Sequence, residues 1–327
     1  MSGRGAEKRV ALVKGDGVGP EVIDGALTVL AAAGADLELV PVELGYGRWK
    51  RTGRAMADED LELIKTCRCV LFGAITTPPD PDYRSVLLAL RKGLDLYANI
   101  RPFSAPGLDF VIVRENTEGM YSGVEKLDEE EATTLRVITS RGSLRIAEMA
   151  CSIASKRERL AIVHKSNVLK SDTLFLRICR ETASRWGVPF EDMLVDAAGY
   201  NLVVNPKRFD VMVTTNLFGD ILSDVAAGVV GSLGLCPSAN LGDRYALFEP
   251  IHGSAPDIAG RGIANPIGAI RSAAMMLEWL GDFGKARMIE EAVTWALARG
   301  IRTPDLGGSS STKEMACAIA DRLARAD

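Results

Sequence analysis

The sequence predicts an α/β fold with a mixed, largely parallel sheet, and three observations support this fold class. Short apolar runs recur along the chain, and each is followed by a glycine-containing or polar segment. Longer stretches of helical pattern separate these runs, an alternation typical of parallel strands covered by helices. The 32 glycines outnumber the 19 aromatic residues (9 Phe, 4 Trp and 6 Tyr), which suits many tight turns between strands and helices.

The predicted elements alternate along the chain. Strands are predicted at residues 10–13, 69–72, 110–113, 160–163 and 211–213. Helices are predicted at residues 20–33, 142–155, 170–186, 218–229 and 265–279. The segment 120–136 interrupts the alternation and predicts a hairpin-like arm, with a solvated loop as the alternative. Because ligands of α/β proteins gather where strands end, we expect the chemistry at the carboxyl ends of the strands.

Size and charge restrict the class of protein. The chain of 327 residues exceeds the roughly 250–300 residues at which single cores stop growing, so two lobes or one elaborated domain are expected. A net charge of −4 and short Lys/Arg runs argue against nucleic acid as a partner. No apolar run approaches the ~18–20 residues of a spanning helix. The N-terminal segment has too few consecutive apolar residues for a secretory signal. We expect a cytoplasmic protein with no membrane partner.

Cysteine and histidine usage narrows the chemistry. The spacing of Cys67 and Cys69 does not fit a zinc knuckle and the other four cysteines are dispersed, which predicts buried free thiols in a reducing compartment. The only histidines are His164 and His252, too few for a His-rich metal site. A divalent ion would therefore be held by carboxylates, which favours Mg²⁺ or Mn²⁺.

A glycine-rich turn follows the first predicted strand. Gly15-Asp-Gly17-Val-Gly19-Pro20 does not have the G-x-G-x-x-G spacing of a dinucleotide-binding Rossmann module. We therefore expect a tight turn with Pro20 opening a helix, and not a Rossmann fold.

Two aspartates stand out in a helix-forming stretch. Asp220 and Asp224 are four residues apart, so both side chains leave the same face of a helix. Gly219 suggests that a helix begins there, where the helix dipole tolerates negative charge. From these residues alone, a metal site and a solvated acidic face are equally good interpretations.

Several cations and a tyrosine are further candidates. Arg91, Arg101 and Arg114 could each grip a carboxylate, although singly each could equally be a surface ion-pair partner. Tyr121 follows Arg114 by seven residues. Lys165 directly follows a predicted strand, and a lysine near a divalent cation is a candidate general base.

Taken together, the segments resemble one family over nearly the whole chain, from Gly15 to Gly308. The family comprises the isocitrate, isopropylmalate and homoisocitrate dehydrogenases, which are metal-dependent β-decarboxylating enzymes. The motifs that carry the resemblance are Gly15-Asp-Gly-Val-Gly-Pro-Glu21, Leu90-Arg-Lys, Asp95-Leu-Tyr-Ala-Asn-Ile-Arg101-Pro, Val113-Arg-Glu-Asn-Thr-Glu-Gly-Met-Tyr121, His164-Lys-Ser-Asn167, Asn216-Leu-Phe-Gly-Asp220-Ile-Leu-Ser-Asp224, Phe248-Glu-Pro-Ile-His-Gly-Ser-Ala-Pro-Asp257-Ile-Ala-Gly260 and Thr303-Pro-Asp-Leu-Gly-Gly308.

The resemblance implies a two-lobed fold and a dimer. The large, cofactor-binding lobe would comprise residues 1–96 and 231–327. The small lobe, residues 97–230, would carry the metal and catalytic residues and a dimer arm. The expected assembly is a homodimer, or a higher oligomer, whose active sites are shared: Lys165 and Asp196 would reach the partner's substrate, a small dicarboxylate or tricarboxylate.

The resemblance also implies a role for each site residue. Tyr121 and Lys165 would be catalytic, and Arg91, Arg101 and Arg114 would hold the departing β-carboxylate. Mg²⁺ or Mn²⁺ would be held by Asp196, Asp220 and Asp224. The cofactor-binding residues would be Val18, Glu249, His252, Gly253, Ser254, Ala255, Asp257, Ile258 and Asn265. A carboxylate at Asp257 accepts hydrogen bonds from a ribose 2′-hydroxyl and repels a 2′-phosphate, so NAD is the expected cofactor.

The expected substrate depends on the residues before Arg91. In the family, leucines at the positions of Leu87 and Leu88 accompany isopropylmalate, whereas serine at Ser85 with asparagine in place of Leu87 accompanies isocitrate. Arg84 would suit the distal carboxylate of homoisocitrate. Burial against a leucine pair favours an isopropyl group and disfavours a carboxylate. We therefore expect oxidative decarboxylation of 3-isopropylmalate to 2-oxoisocaproate, as in leucine biosynthesis.

Two alternatives remain at this stage. One is a homoisocitrate or broad-specificity isocitrate/homoisocitrate dehydrogenase. The other, from a different class, is a non-catalytic regulatory subunit of a heteromeric isocitrate dehydrogenase. The second is disfavoured because the expected active-site residues are all present, namely Tyr121, Lys165, Asp196, Asp220 and Asp224.

Overall fold

A computed structural model describes residues 8–80 and 82–325, and the chain forms two compact units. Unit 1 comprises Met1–Leu94, Gly231–Ala239 and Asp243–Asp327; unit 2 comprises Asp95–Val230 and Asn240–Gly242. The expected lobe boundaries lie after residues 96 and 230. The N-terminal residues 1–7, which entered the expectation of no secretory signal, lie outside the described residues. No helix in the described part of the chain is long and apolar enough to cross a membrane.

Twelve strands are described. They are β1 (Arg9–Gly15), β2 (Glu38–Pro41), β3 (Cys69–Ala74), β4 (Ala98–Ala105), β5 (Leu108–Glu115), β6 (Glu125–Leu127), β7 (Ala132–Thr134), β8 (Leu160–His164), β9 (Phe190–Leu194), β10 (Val211–Thr214), β11 (Pro237–Leu241) and β12 (Ala246–Pro250).

Eleven α-helices are described within the same residues. They are α1 (Gly19–Ala32), α2 (Tyr46–Thr52), α3 (Asp58–Lys65), α4 (Val86–Gly93), α5 (Ser140–Ala154), α6 (Lys170–Trp186), α7 (Val195–Val204), α8 (Asn216–Val230), α9 (Ile267–Trp279), α10 (Phe283–Ala298) and α11 (Thr312–Ala324).

In unit 1 the sheet runs in the order β2-β1-β3-β12-β11. β1 pairs in parallel with β2 and β3, and β3 pairs in parallel with β12. All six residues of β3 are buried, because helices cover both faces of a parallel sheet. Helix α1 packs against α9 and α11, so the core of this unit lies between those helices and the sheet.

In unit 2 the order is β4-β5-β10-β8-β9. β4 and β5 form an antiparallel hairpin, whereas β5, β10, β8 and β9 are parallel neighbours. β8 and β10 are buried along their whole length, with α5, α6 and α8 packed against this part of the sheet. The predicted mixed, largely parallel α/β fold is therefore confirmed.

The predicted elements are confirmed with small changes at their ends. Each of the five predicted strands and five predicted helices has a counterpart, and α6 has the predicted bounds. The predicted arm is confirmed as well, because β6 and β7 pair as an antiparallel hairpin. All six cysteines are free, and five of them are buried; Cys317 is half-buried.

Candidate active site

The parallel strands of unit 2 bring their carboxyl ends to one edge. In the register, Thr214 of β10 lies beside Arg114 of β5 and Val163 of β8. Lys165 directly follows β8, Asn216 lies two residues beyond the end of β10, and Asn99 of the antiparallel β4 lies opposite Arg114. Several residues predicted from sequence to carry the chemistry therefore lie along this edge.

Asp220 of α8 is the point at which four predicted site residues meet. One carboxylate oxygen, Oδ1, accepts a hydrogen bond from Nη1 of Arg114 and lies 3.6 Å from Nη1 of Arg101. The other oxygen, Oδ2, accepts a hydrogen bond from the Tyr121 hydroxyl at 2.7 Å. Two guanidinium groups and a phenol thus surround one carboxylate, an arrangement that can bind and neutralise an anionic substrate.

Arg114 is 1% exposed and its position depends on two neighbours. Its Nε and Nη2 donate to Oδ1 of Asn216 at 3.1 and 2.7 Å. Its aliphatic stem lies against Gly219, where an added Cβ would come within 2.6 Å of the arginine Cγ. The expectation that α8 begins at Gly219 was wrong: the helix begins at Asn216, and a glycine stands inside it because the arginine stem fills the space of a side chain.

Asp224 follows Asp220 by one helical turn. Partial burial, and then the neighbouring charge of Asp220, raise the pKa of Asp224, while Arg101 and Arg114 lower it. The carboxylate oxygens of the pair suit a hard divalent cation, which would relieve the repulsion between them. Within residues 8–80 and 82–325 of one chain, no three His, Cys, Asp or Glu side chains form a metal-binding group. Asp196 therefore does not join this pair within a single chain.

Lys165 and Asp196 form a second cluster in unit 2. β8 and β9 pair so that His164 lies beside Leu194, which places the two residues at neighbouring strand ends. Lys165 Nζ donates to Asp196 Oδ1 at 2.5 Å, and this hydrogen bond is the main cause that lowers the pKa of Asp196. The preceding His164 is 5% exposed, and burial lowers the pKa of its imidazole, which favours the neutral form.

In unit 1, helix α4 carries the residues predicted to choose the substrate. The Ser85 hydroxyl caps α4 by accepting from the Leu88 amide at 3.4 Å. Leu87 and Leu88 are half-buried and lie one turn before Arg91, on the same side of the helix. Arg91 is 5% exposed and lies 3.4 Å from Glu249, which joins a predicted substrate residue to a predicted cofactor residue.

Arg84 occupies a different environment from the two leucines. Its side chain is exposed and lines a cavity of about 570 Å³ together with Trp49 and Arg54. Val86 and Ala89 line the same cavity, and on a helix they lie on the side away from Leu87 and Arg91. The structure therefore places Arg84 apart from the helical face that carries the leucine pair.

Two of the predicted cofactor residues of unit 1, Val18 and Ser254, meet beyond the ends of β1 and β12. The Val18 amide donates to the Ser254 carbonyl at 2.9 Å, and the Thr76 hydroxyl donates to Ser254 Oγ at 2.7 Å. Gly17 has a φ of +59° and leaves no room for a side chain against Ser254. Ala255 holds a φ of +38°, a backbone conformation that non-glycine residues rarely adopt and that is common in ligand-binding loops.

The remaining cofactor candidates differ in exposure. Gly253 and Asp257 are exposed and Ile258 is half-buried, so they can contact a ligand. Burial is the main cause that lowers the pKa of His252, which favours an uncharged ring. Asn265 is 5% exposed and donates to Asp305 at 3.1 Å.

Three polar residues with structural links to these candidates were not predicted. Asp16 accepts hydrogen bonds from the amides of Tyr46, Gly47 and Thr76 at 2.8, 2.8 and 3.1 Å, so it fixes the loop that carries Thr76. Asp305 accepts from Ser232 and Thr303 as well as from Asn265. Asn216 orients Arg114. The sequence motifs contain all three, but only the folded chain shows their partners.

Comparison with known proteins gives consistent matches. Residues 9–319 match the model of the isocitrate/isopropylmalate dehydrogenase family. The isocitrate/homoisocitrate dehydrogenase of Thermus thermophilus is 49% identical over 328 residues, covering 96% of this chain and 98% of that protein. The 3-isopropylmalate/3-methylmalate dehydrogenase of Methanocaldococcus jannaschii is 46% identical over 333 residues, with coverages of 96% and 98%.

A solved structure agrees with these matches. The crystal structure of isocitrate dehydrogenase from Methylococcus capsulatus superposes with a TM-score of 0.93 at 44% sequence identity. The superposition covers 97% of this chain and 99% of that one. The names of these relatives include isocitrate, homoisocitrate, 3-isopropylmalate and 3-methylmalate, so likeness alone does not choose among the substrates.

Proposed function

The chain belongs to the isocitrate/isopropylmalate dehydrogenase family and is an enzyme, a β-decarboxylating dehydrogenase; from this premise we propose that its substrate is a 3-alkylmalate, with 3-isopropylmalate first. The observation that carries this choice is the half-buried pair Leu87 and Leu88 beside Arg91 on α4. The products would be 2-oxoisocaproate, CO₂ and NADH, as in leucine biosynthesis.

In this proposal Leu87 and Leu88 contact the alkyl substituent of the substrate, and Arg91 binds a carboxylate. Two aliphatic side chains stabilise an alkyl substituent by removing it from water, at roughly 25 cal/mol per Å² of apolar surface buried. The same pair would strip water from a carboxylate without giving it a hydrogen bond. Homoisocitrate is the second candidate, because Arg84 is a cation near the start of α4 and the Thermus relative carries that name. Arg84, however, lies beside Trp49 and Arg54, away from the face of α4 that carries Leu87 and Leu88.

The residues around Asp220 have proposed roles in the reaction. Arg101 and Arg114 would hold the β-carboxylate that leaves as CO₂, and the Tyr121 hydroxyl would protonate the carbon left behind. Lys165, in its neutral form, would take the proton of the substrate hydroxyl in the partner's site, and Asp196, to which Lys165 donates, would hold the amine in place. Proton transfers of this kind contribute about 10²–10⁴-fold to a rate.

Asp220 and Asp224, with Asp196 of the partner subunit, would hold the proposed Mg²⁺ or Mn²⁺. When bound, the cation supplies Lewis-acid polarisation of the substrate's oxygen atoms, and NAD supplies the hydride acceptor. The oxygen-donor set of the aspartate pair supports a hard cation, and the two arginines beside it limit the negative charge that the site must bear.

A comparison of substrates tests the proposal. With purified protein, NAD and Mg²⁺, kcat/KM should be highest for 3-isopropylmalate among 3-isopropylmalate, homoisocitrate and isocitrate. Leu87→Asn should lower kcat/KM for 3-isopropylmalate by roughly 10–200-fold, the range for losing one good apolar pocket contact. Leu63→Asn on α3, which makes the same change at an exposed leucine elsewhere in unit 1, is the control and should change nothing. A preference above ~10-fold for either tricarboxylate would overturn the assignment.

The choice of NAD rests on the exposed Asp257. A double variant, Asp257→Lys with Ile258→Tyr, should raise the ratio of kcat/KM with NADP to that with NAD at least about tenfold, or ~1.4 kcal/mol. The reason is that the carboxylate of Asp257, which repels the 2′-phosphate of NADP, is replaced by a lysine that attracts it. Asp243→Lys adds the same charge at another exposed site of the chain and serves as the control. An unchanged ratio in the double variant would contradict the cofactor assignment.

We also propose that the chain acts as a homodimer formed through unit 2. On α7, Tyr200, Val203 and Val204 are 68%, 66% and 55% exposed and lie on one face of the helix. Ile221 of the adjacent α8 is 56% exposed, and Leu127 of the arm is 83% exposed. Clustered apolar side chains on a surface are typical of protein–protein contacts, and a second copy of the chain is the partner that a shared site requires.

Charge on this face should separate the subunits. The double variant Val203→Lys with Ile221→Lys should lower the mass in solution from that of two 35.1 kDa chains to that of one. Activity should fall with it, because Lys165 and Asp196 would no longer reach a partner's substrate. Light scattering coupled to gel filtration measures the mass. Phe283→Lys, at an apolar residue of unit 1 that is 63% exposed, should leave both properties intact. A dimeric, active double variant would contradict the proposed interface.

A further inference from the structure

Arg136 is a half-buried cation that the proposed mechanism does not use. It follows β7 in the arm (residues 120–136, which contain the hairpin of β6 and β7), and its side chain is 13% exposed. Its guanidinium donates to the Ser171 hydroxyl and, at 2.5 Å, to Oδ1 of Asp172. A third hydrogen bond, of 3.1 Å, reaches the Thr215 hydroxyl. A single side chain thus joins the arm to the start of α6 and to the residue before α8.

Asp172 connects Arg136 to Lys165, the proposed catalytic lysine, because it accepts hydrogen bonds from both. Its side chain has no exposed surface, and its second oxygen, Oδ2, accepts a hydrogen bond from the backbone amide of Lys165 at 2.6 Å. The Lys165 carbonyl in turn accepts from the amides of Val168 and Leu169, which closes the turn before α6. The backbone of Lys165 is therefore held on both sides, and one of the two anchors is an aspartate paired with Arg136.

The same arginine touches the helix that carries the aspartate pair. Thr215 immediately precedes α8 and is 2% exposed, and the guanidinium carbon of Arg136 lies 5.6 Å from the centre of the Phe218 ring in its first turn. An arginine suits this place because its planar group donates in several fixed directions at once, which a lysine cannot do. Arg136 of the arm thus contacts both Asp172, which holds the backbone of Lys165, and the residues at the start of α8.

We propose that Arg136 is a positioning residue which, through Asp172, fixes Lys165 for proton transfer and ties that geometry to the dimer arm. The inference rests on the proposed function for the role of Lys165. Asp172 has no exposed surface, so its charge would be costly without Arg136, and removal of the arginine alone should destabilise the fold. Because a displacement of about 1 Å in an active site can cost about 10²-fold in rate, loss of the anchor should be visible in kcat.

The test uses the full-length protein with 3-isopropylmalate, NAD and Mg²⁺. Arg136→Met should lower kcat by about 10²-fold and change KM by less than about threefold, since binding groups stay in place. Arg136→Lys, which can reach only one of the partners, should recover part of the loss. The pair replacement Arg136→Met with Asp172→Leu should regain stability, because an apolar pair needs no solvation, but should not regain kcat. Arg157→Met, which loses ion pairs with Asp109 and Asp210 elsewhere in unit 2, should lower stability alone.

Two further measurements distinguish positioning from a merely structural role. In a Lys165→Met background, Arg136→Met should change the residual kcat by less than about twofold, because residues acting through one another are not additive. Hydrogen exchange of the Lys165 amide should be faster in Arg136→Met than in Arg157→Met. Equal kcat losses in both backgrounds, or unchanged exchange at Lys165, would overturn the proposal. A wild-type protein inactive on every 3-substituted malate would refute the proposed function, and the exchange experiment would still decide whether Arg136 positions Lys165.

Discussion

Asp220→Asn is expected to lower kcat/KM by at least about 10²–10³-fold, the loss that follows removal of one electrostatic group from an active site. Asparagine keeps the size of the side chain and can still accept from Arg114 or Tyr121 through its single oxygen. It removes the negative charge that the proposed cation and the two arginines require. Binding of Mg²⁺, measured by calorimetry on the same protein, should weaken in parallel.

The fold should survive this change, which makes the result interpretable. Asp109→Asn is the matched control: it makes the same chemical change at the start of β5, where Asp109 pairs with Arg157. The control should retain wild-type kcat/KM and Mg²⁺ binding. If Asp220→Asn kept both Mg²⁺ binding and activity within about tenfold of wild type, the proposed role of this carboxylate as a metal ligand would be wrong, since the bound cation is expected to stabilise the transition state by several kcal/mol.

Mixing two inactive variants should restore activity. Lys165→Met should lose about 10²–10⁴-fold in kcat through loss of the general base, and Asp220→Asn should also be inactive. If each active site takes Lys165 from one chain and Asp220 from the other, a mixed dimer has one site in which both residues are wild type and one site in which both are replaced. Random reassortment should then give about a quarter of wild-type activity, since half of the dimers are mixed and each has one intact site.

The experiment requires that the subunits exchange, which brief denaturation and refolding of the mixture ensures. Refolded wild-type protein sets the scale, and each variant refolded alone should remain inactive. Restored activity is specific to a site built from two chains, because two defects in sites confined to single chains cannot complement each other. A mixture as inactive as its components would refute sharing across the interface and place Lys165 in the site of its own chain.

The central strands β3, β8 and β10 were predictable because burial on both faces gives an apolar run in the sequence, whereas β4, β11 and β12 were not predicted although most of their residues are buried. Every residue of β3, β8 and β10 is buried, and each begins with an apolar run; β8 and β10 then end in a single polar residue. The strands at the ends of the orders, β2 and β9, were not predicted. Most of their residues are exposed or half-buried, since an edge strand needs less apolar surface, and the pattern is correspondingly weak.

The candidate site was predictable to the extent that it follows from strand ends. The rule that ligands gather there placed Arg114 and Lys165 correctly at the same edge of unit 2. The start of α8 was misplaced, because the fit between Gly219 and the stem of Arg114 joins residues distant in sequence. The pair of Arg136 with Asp172 was missed for the same reason: its members are 36 positions apart and neither belongs to a recognisable motif.

The chain order of the two units bears on how the protein is made. Unit 2 is almost one continuous stretch, Asp95–Val230, whereas unit 1 needs both ends of the chain. In unit 1, β3 pairs on one side with β1 and on the other with β12, which is synthesised some 170 residues later. On the ribosome, unit 2 can fold while one edge of the apolar β3 still lacks its neighbour. We expect nascent chains to be most prone to aggregation in that interval, and the proposed catalytic residues of unit 2 to be in place before the proposed cofactor site of unit 1 is complete.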